Sequence, residues 1–169
     1  MLLTIFLSIV VCTAVTLLLL SAVAYVQDNR LFSSAPKEAQ AVLKPRDKEL
    51  FYGARIIGWT LMLFSILLIL GVFVIAIWDG KRSGYTFFGF FLRFLLLFTI
   101  YKVYDMVCFD YFLLMKFKFF QYYYPETESA LENRKYGFNI KSQILKLLVI
   151  FPAVSALLAW LCTKFYALF

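Results

Sequence analysis

The stretch Tyr101–Phe112, YKVYDMVCFDYF, sets one lysine and two aspartates inside an otherwise apolar run. Upstream on the same run stands a single arginine, Arg93. Ionisable groups within a membrane-spanning segment are costly, so each is a functional candidate until a partner accounts for it. Lys102 and Asp105 stand three residues apart, about 60° round a helix, and can pair on one face. Such a pair reads either as a local clamp whose lysine reaches for the headgroups or as the charged lining of a cavity or ion path. Asp110 lies about 80° from Lys102 on the other side and about 12 Å along the axis, so its partner must come from another helix. Otherwise it offers a carboxylate to a cation, a proton or a lipid amine. Arg93 carries a planar fork suited to an anionic group such as a lipid phosphate, or it reaches towards Asp79 and the outer headgroups. Asp105 and Asp110 could also serve as base or metal ligand towards phosphate-bearing lipids. On a continuous α-helix, however, they stand about 140° apart and cannot share one metal.

The elements that hold these residues are apolar throughout. Of 169 residues, 63% are hydrophobic and 20% aromatic, with a mean hydropathy of +0.83. A soluble domain is only about half apolar, so the chain belongs to the membrane class. It has no histidine, which removes the usual general base and the commonest metal ligand. Cys12, Cys108 and Cys162 sit in three different apolar segments without metal-ligand spacing. They read as small buried hydrophobes, and no metal site or cofactor is expected. Phosphate-cradling and dinucleotide-binding glycine motifs are absent.

A spanning helix needs roughly 20 mostly apolar residues. Four segments qualify, near residues 2–26, 55–78, 85–112 and 144–166. Ala22-Val23-Ala24 resembles a signal cleavage site, but no basic region precedes the apolar run, which is also long for a leader; the first segment is expected to be retained. The expected fold is therefore all-α: a polytopic membrane protein with four transmembrane helices in one antiparallel bundle, forming a single domain.

Basic residues orient it. The first connection and its edge carry Arg30, Lys37, Lys44, Arg46, Lys48 and Arg55, and the third carries Lys116, Lys118, Arg134, Lys135, Lys141 and Lys146. Against these twelve stand only Lys81, Arg82 and Lys164. Both long connections are expected in the cytoplasm and both termini outside, a multi-pass topology that suits a bacterial plasma membrane. In the short connection Asp79–Gly84, Gly80 suits the left-handed position past a helix end, and Ser83 a cap for the next helix. The second and third spans are therefore expected to be antiparallel neighbours. A short helix is expected near residues 35–43, with Ser34 as its cap and Pro36 in its first turn, and another in TESALENRKYG ending at Gly137. Phe117, Phe119, Phe120 and Tyr122–Tyr124, mixed with lysines, read as an interfacial aromatic belt.

Depth ranks the charges. Counting from Thr86, Arg93 lies about 10 Å into the bilayer, Lys102 about 24 Å, Asp105 about 28 Å and Asp110 about 36 Å. If Trp78 and Thr86 share a level, antiparallel residues whose numbers sum to about 164 share a depth. Arg55 then faces Asp110, with Lys146 as a second choice, and Arg93 falls level with Gly71.

Three functions fit these features. The first is a non-enzymatic accessory or scaffold protein working through a membrane-protein partner or as a homo-oligomer. The second is a small oligomeric transporter or channel using Arg93, Lys102, Asp105 and Asp110. The third is a lipid-modifying enzyme at the inner interface. The first is preferred because catalytic motifs are lacking. The basic residues would attract anionic lipid headgroups, at about 1 kcal/mol each near the surface, and nucleic acid is not an expected partner.

Overall fold

The structure, a computed structural model, describes residues 2–32, 35, 37–46, 48–132 and 140–164. The expected Ser34 cap, the Pro36 first-turn position, Arg134 and Lys135, the helix end at Gly137 and the last turn of the fourth span lie outside the described residues.

All regular structure among the described residues is helical. In chain order the helices are α1 (Leu2–Val26), α2 (Lys37–Val42), α3 (Ala54–Arg82), α4 (Phe87–Lys116), α5 (Phe119–Tyr123), α6 (Glu128–Leu131) and α7 (Ser142–Lys164). Of these, α1, α3, α4 and α7 are long and apolar enough to cross a membrane. Helix α3 runs on to Arg82 rather than ending near Trp78, and α4 to Lys116 rather than Phe112. Three of the four change pitch: Ser21–Val26 in α1, Asp105–Lys116 in α4 and Lys146–Ile150 in α7 are π-helical. Their i→i+5 hydrogen bonds close each turn over one more residue than an α-helix does.

The second and third spans touch, but each packs more extensively on another helix. Helix α1 packs along both α3 and α4, and α7 packs on α4, whereas α3 and α4 touch less extensively, at the hairpin and where Phe73 meets Phe94 and Phe98. Small residues make these approaches possible. A Cβ on Gly58 would lie 2.7 Å from Val26 Cγ2 and 2.8 Å from Tyr25 Cβ, so α3 touches the end of α1 there. Ala14, Ala54, Ala76, Ser155 and Ala159 are fully buried. Lipid tails are as apolar as leucine, so helices in a bilayer gain little from excluding lipid, and close backbone approach supplies the attraction. Phe90, Phe94 and Leu97 of α4 fill the core with Leu7 and Val11 of α1, Val72 of α3 and Cys162 of α7.

The hairpin closes differently from the expectation. Gly80 lies inside α3, and the left-handed residue is Gly84, at φ +65°. Tyr85 N–H donates to the Gly80 carbonyl (2.9 Å) and Gly84 N–H to that of Lys81 (3.1 Å). This is the paired C-terminal closure that a glycine one residue past the cap permits. Ser83 terminates α3, and Thr86 precedes α4 without a side-chain cap bond. Gly80 serves packing instead, because the Phe90 ring occupies the space a Cβ would need.

The two long connections pack on each other. Phe32, Ala35 and Ala39 of the first form an apolar cluster with Phe120, Tyr124 and Leu131 of the second and with Val23 and Leu114 at the helix ends. Phe32 meets Phe120 and Tyr124 edge-on, with ring centres 5.1 Å apart in each pair. The aromatic belt therefore divides. Phe117 and Tyr122 are exposed, but Phe120 and Tyr124 are buried core residues. Burial pushes the Tyr124 hydroxyl up from the ordinary phenol range, against the lowering effect of nearby Arg46.

Candidate functional site

The ionisable residues of α4 fall into two groups at different heights. Near the hairpin, Arg93 is 2% exposed. Its guanidinium donates to the Ala76 carbonyl (2.7 Å), to Asp79 Oδ2 (2.7 Å) and to the Tyr85 hydroxyl (2.9 Å), and lies 4.4 Å from the centre of the Tyr85 ring. The side chain thus runs back towards the hairpin, and Asp79 is its ionic partner. Gly71, expected at its level, faces open space, and Arg93 reaches Ala76 and Asp79 instead.

Further along α4, Lys102 and Asp105 form the expected i,i+3 ion pair, with Lys102 buried. Beside them the rings of Tyr104 and Phe109 meet edge-on, and the Tyr104 hydroxyl bonds Thr16 Oγ1 of α1 at 2.9 Å. Asp110 is not met by Arg55. Its Oδ2 accepts a hydrogen bond from Gln143 of α7 at 3.2 Å. Arg55 donates instead to the Arg46 carbonyl in the first connection. The reason is the neighbour order: α1 stands between α3 and α4 at this end, so residues level in depth are not in reach. Lys146, the second expected partner, sits at the start of the π-helical turn of α7 and is not among the ion pairs of Asp110.

The π-helix also revises the relation of the two aspartates. On an α-helix Asp105 and Asp110 would diverge, but residues five apart draw together when each turn closes on i+5. Both residues line one cavity of ≈ 240 Å³ between α4 and the end of α1. Its walls are otherwise apolar: Leu18, Leu19 and Val23 of α1, Phe109 and Leu113 of α4, and Phe32, Phe119 and Phe120 of the connections. The cavity is apolar apart from two aspartates of α4, one of them already paired with Lys102. Chemically it suits an amphiphile with a cationic or hydrogen-bonding end. No group of three His, Cys, Asp or Glu side chains that could hold a metal occurs among the described residues.

Of the residues singled out from sequence, the structure thus joins Arg93 to Asp79 and Lys102 to Asp105. Two further partners carry no signal in the sequence. Gln143 is the partner of Asp110, and Arg46 donates to the Tyr123 carbonyl (3.0 Å) and pairs with Glu126 (2.8 Å) across the two connections. Neither carries a spacing signal, because each meets its partner across more than thirty positions of chain. No family model, curated protein or solved structure matches the chain.

Proposed function

We propose that the chain is a non-enzymatic multi-pass protein of the plasma membrane that works through a membrane partner or a second copy of itself. In this reading the four long helices form an antiparallel bundle with both termini outside and the packed pair of long connections in the cytoplasm, where their basic residues belong. The observation that carries the functional reading is the disposal of the α4 charges. Arg93 is spent on Asp79 and the hairpin, Lys102 on Asp105, and Asp110 on Gln143. Between the two groups α4 presents Phe94, Leu95, Leu96, Leu97 and Phe98, an apolar interval where a conducting path would need polar groups. Arg93 and Asp110 fasten α4 to its neighbours, and Lys102 and Asp105 neutralise each other within it.

Reconstitution tests this. Purified protein in liposomes should pass no more proton, sodium or potassium ion than protein-free vesicles. A flux that Asp110→Asn abolishes would refute the reading and favour the second one, a small oligomeric transporter. The shared Asp105–Asp110 cavity and its π-helical wall favour that alternative, since π-helical turns recur at functional sites. Orientation is tested separately: single cysteines at Ser83 and Lys118 should react with an impermeant thiol reagent from opposite sides of the membrane.

A further inference from the structure

A second cavity, ≈ 500 Å³, opens where the first connection leaves α1 and re-enters α3. Three arginines line it: Arg30, Arg46 and Arg55, together with Asp28, Asn29 and Trp59. Arg46 shares its charge with Glu126, but Arg30 and Arg55 form no ion pair among the described residues. Asp28 is turned to the backbone, accepting from Arg30 N–H at 2.9 Å. Each guanidinium has five N–H donors in a fixed fork. Arg55 uses one nitrogen on the Arg46 carbonyl, and its guanidinium makes no other hydrogen bond among the described residues. Gln27 also lines the cavity, a non-glycine residue held at φ +53°, a conformation that costs energy and that surrounding contacts must maintain.

We infer that this cavity binds the phosphate of an anionic phospholipid, with Arg30 and Arg55 as the principal ligands and Arg46 as a third. Planar forks match phosphate oxygens pairwise, which an ammonium does not do. The lipid source is favoured by what adjoins the cavity. Trp59 is half exposed at its edge, and Leu63, Ile66 and Leu70 continue the same exposed face of α3. Acyl chains can lie along that stripe while the headgroup sits among the arginines, with the indole at the headgroup level that tryptophan favours. The site shares no residue with the Asp105–Asp110 cavity, so it stands or falls apart from the function proposed above.

The test uses the full chain in detergent micelles, titrated with phosphatidylglycerol or phosphatidylcholine of matched chains and read by native mass spectrometry. Wild type should bind phosphatidylglycerol at least tenfold more tightly, and the R30Q/R55Q pair should erase that preference. R82Q, at the opposite end of α3, should keep it. R30Q alone, at an exposed position, should weaken binding severalfold, and R55K should lose more than a conserved charge would suggest; these two carry the test if the double variant does not fold. Equal binding of the two lipids by wild type, or an undiminished preference in folded R30Q/R55Q, would overturn the site. Displacement of the lipid by equimolar inorganic phosphate or glycerol phosphate would overturn its lipid source.

Discussion

Replacing Arg93 by methionine should be among the more damaging single changes at the charged residues. Methionine keeps most of the side-chain length and fits an apolar surround, so lost packing contributes little. What it removes is the donor set. Asp79 loses its only ionic partner among the described residues while remaining partly shielded, and the Tyr85 hydroxyl loses a 2.9 Å bond. The Ala76 carbonyl loses a 2.7 Å bond but can keep its bond within α3. Breaking a buried ion pair by removing one partner costs about 3–5 kcal/mol. Asp79 keeps some access to solvent, which places the expected loss at the lower end, about 2–4 kcal/mol. Reversible unfolding in mixed micelles, driven by a rising fraction of denaturing detergent and followed by circular dichroism, measures it. A cycle with Asp79→Asn isolates the pair: the two losses should fall short of additive by about 1.5–3 kcal/mol. R93K should be intermediate, since one ammonium cannot meet a carbonyl, a carboxylate and a phenol in the same plane. An R93M protein as stable as wild type, or strict additivity with D79N, would refute the view that Arg93 fastens the hairpin.

Gly80→Ala should destabilise by about 1–3 kcal/mol, because its methyl group enters the space of the buried Phe90 ring. Gly71→Ala, where nothing lies within 4 Å, should be neutral or stabilising by up to about 1 kcal/mol in the same unfolding measurement. Asp105→Asn should cost more stability than Asp110→Asn. The first strands a buried lysine, while the second leaves an amide that can still bond Gln143; equal losses would count against the assignment of partners. The Lys118–Glu128 pair (2.7 Å) joins α5 and α6 in the second connection. Its hydrogen bond and charge hold the Glu128 carboxyl below its ordinary range and lift the Lys118 ammonium above its own. A lowered carboxyl stabilises above its unfolded pKa and ceases to do so as pH falls through the folded value; a raised ammonium stabilises below its unfolded pKa and is lost as pH rises through the folded value. Amide exchange across Phe119–Leu131, corrected for its intrinsic pH dependence, should therefore be slowest between these limits, and E128Q should abolish the acid-side rise. Both groups are exposed, so the effect should be small and fade with salt.

The α4 charges show where local reading succeeds. Lys102 and Asp105 find each other because three residues on one helix fix their distance whatever surrounds them. Arg93 and Asp79 are nearly as legible, because only the short hairpin separates them. The Asp110–Arg55 pairing fails because it assumes that helices consecutive in the chain are neighbours along their whole length. The small faces of α1 and of Gly58 on α3 let α1 take that place, and no charge count records which helix slips between two others.

Composition and hydrophobic length by themselves determined that the regular structure of the described residues is helical, with four segments able to cross a membrane, because a backbone in hydrocarbon must satisfy its own hydrogen bonds. The basic residues gather mainly in the two long connections. Only the tertiary structure decided what those connections do: they pack on each other through Phe32, Phe120 and Tyr124 and are locked by Arg46 and Glu126. It alone also turned Asp105 and Asp110 onto one cavity and gathered Arg30, Arg46 and Arg55 around another. The first depends on a change of helical pitch and the second on chain folding back over 25 positions, from Arg30 to Arg55. Neither a pitch change nor such a closure leaves a period in the sequence, because each is set by which surfaces finally touch.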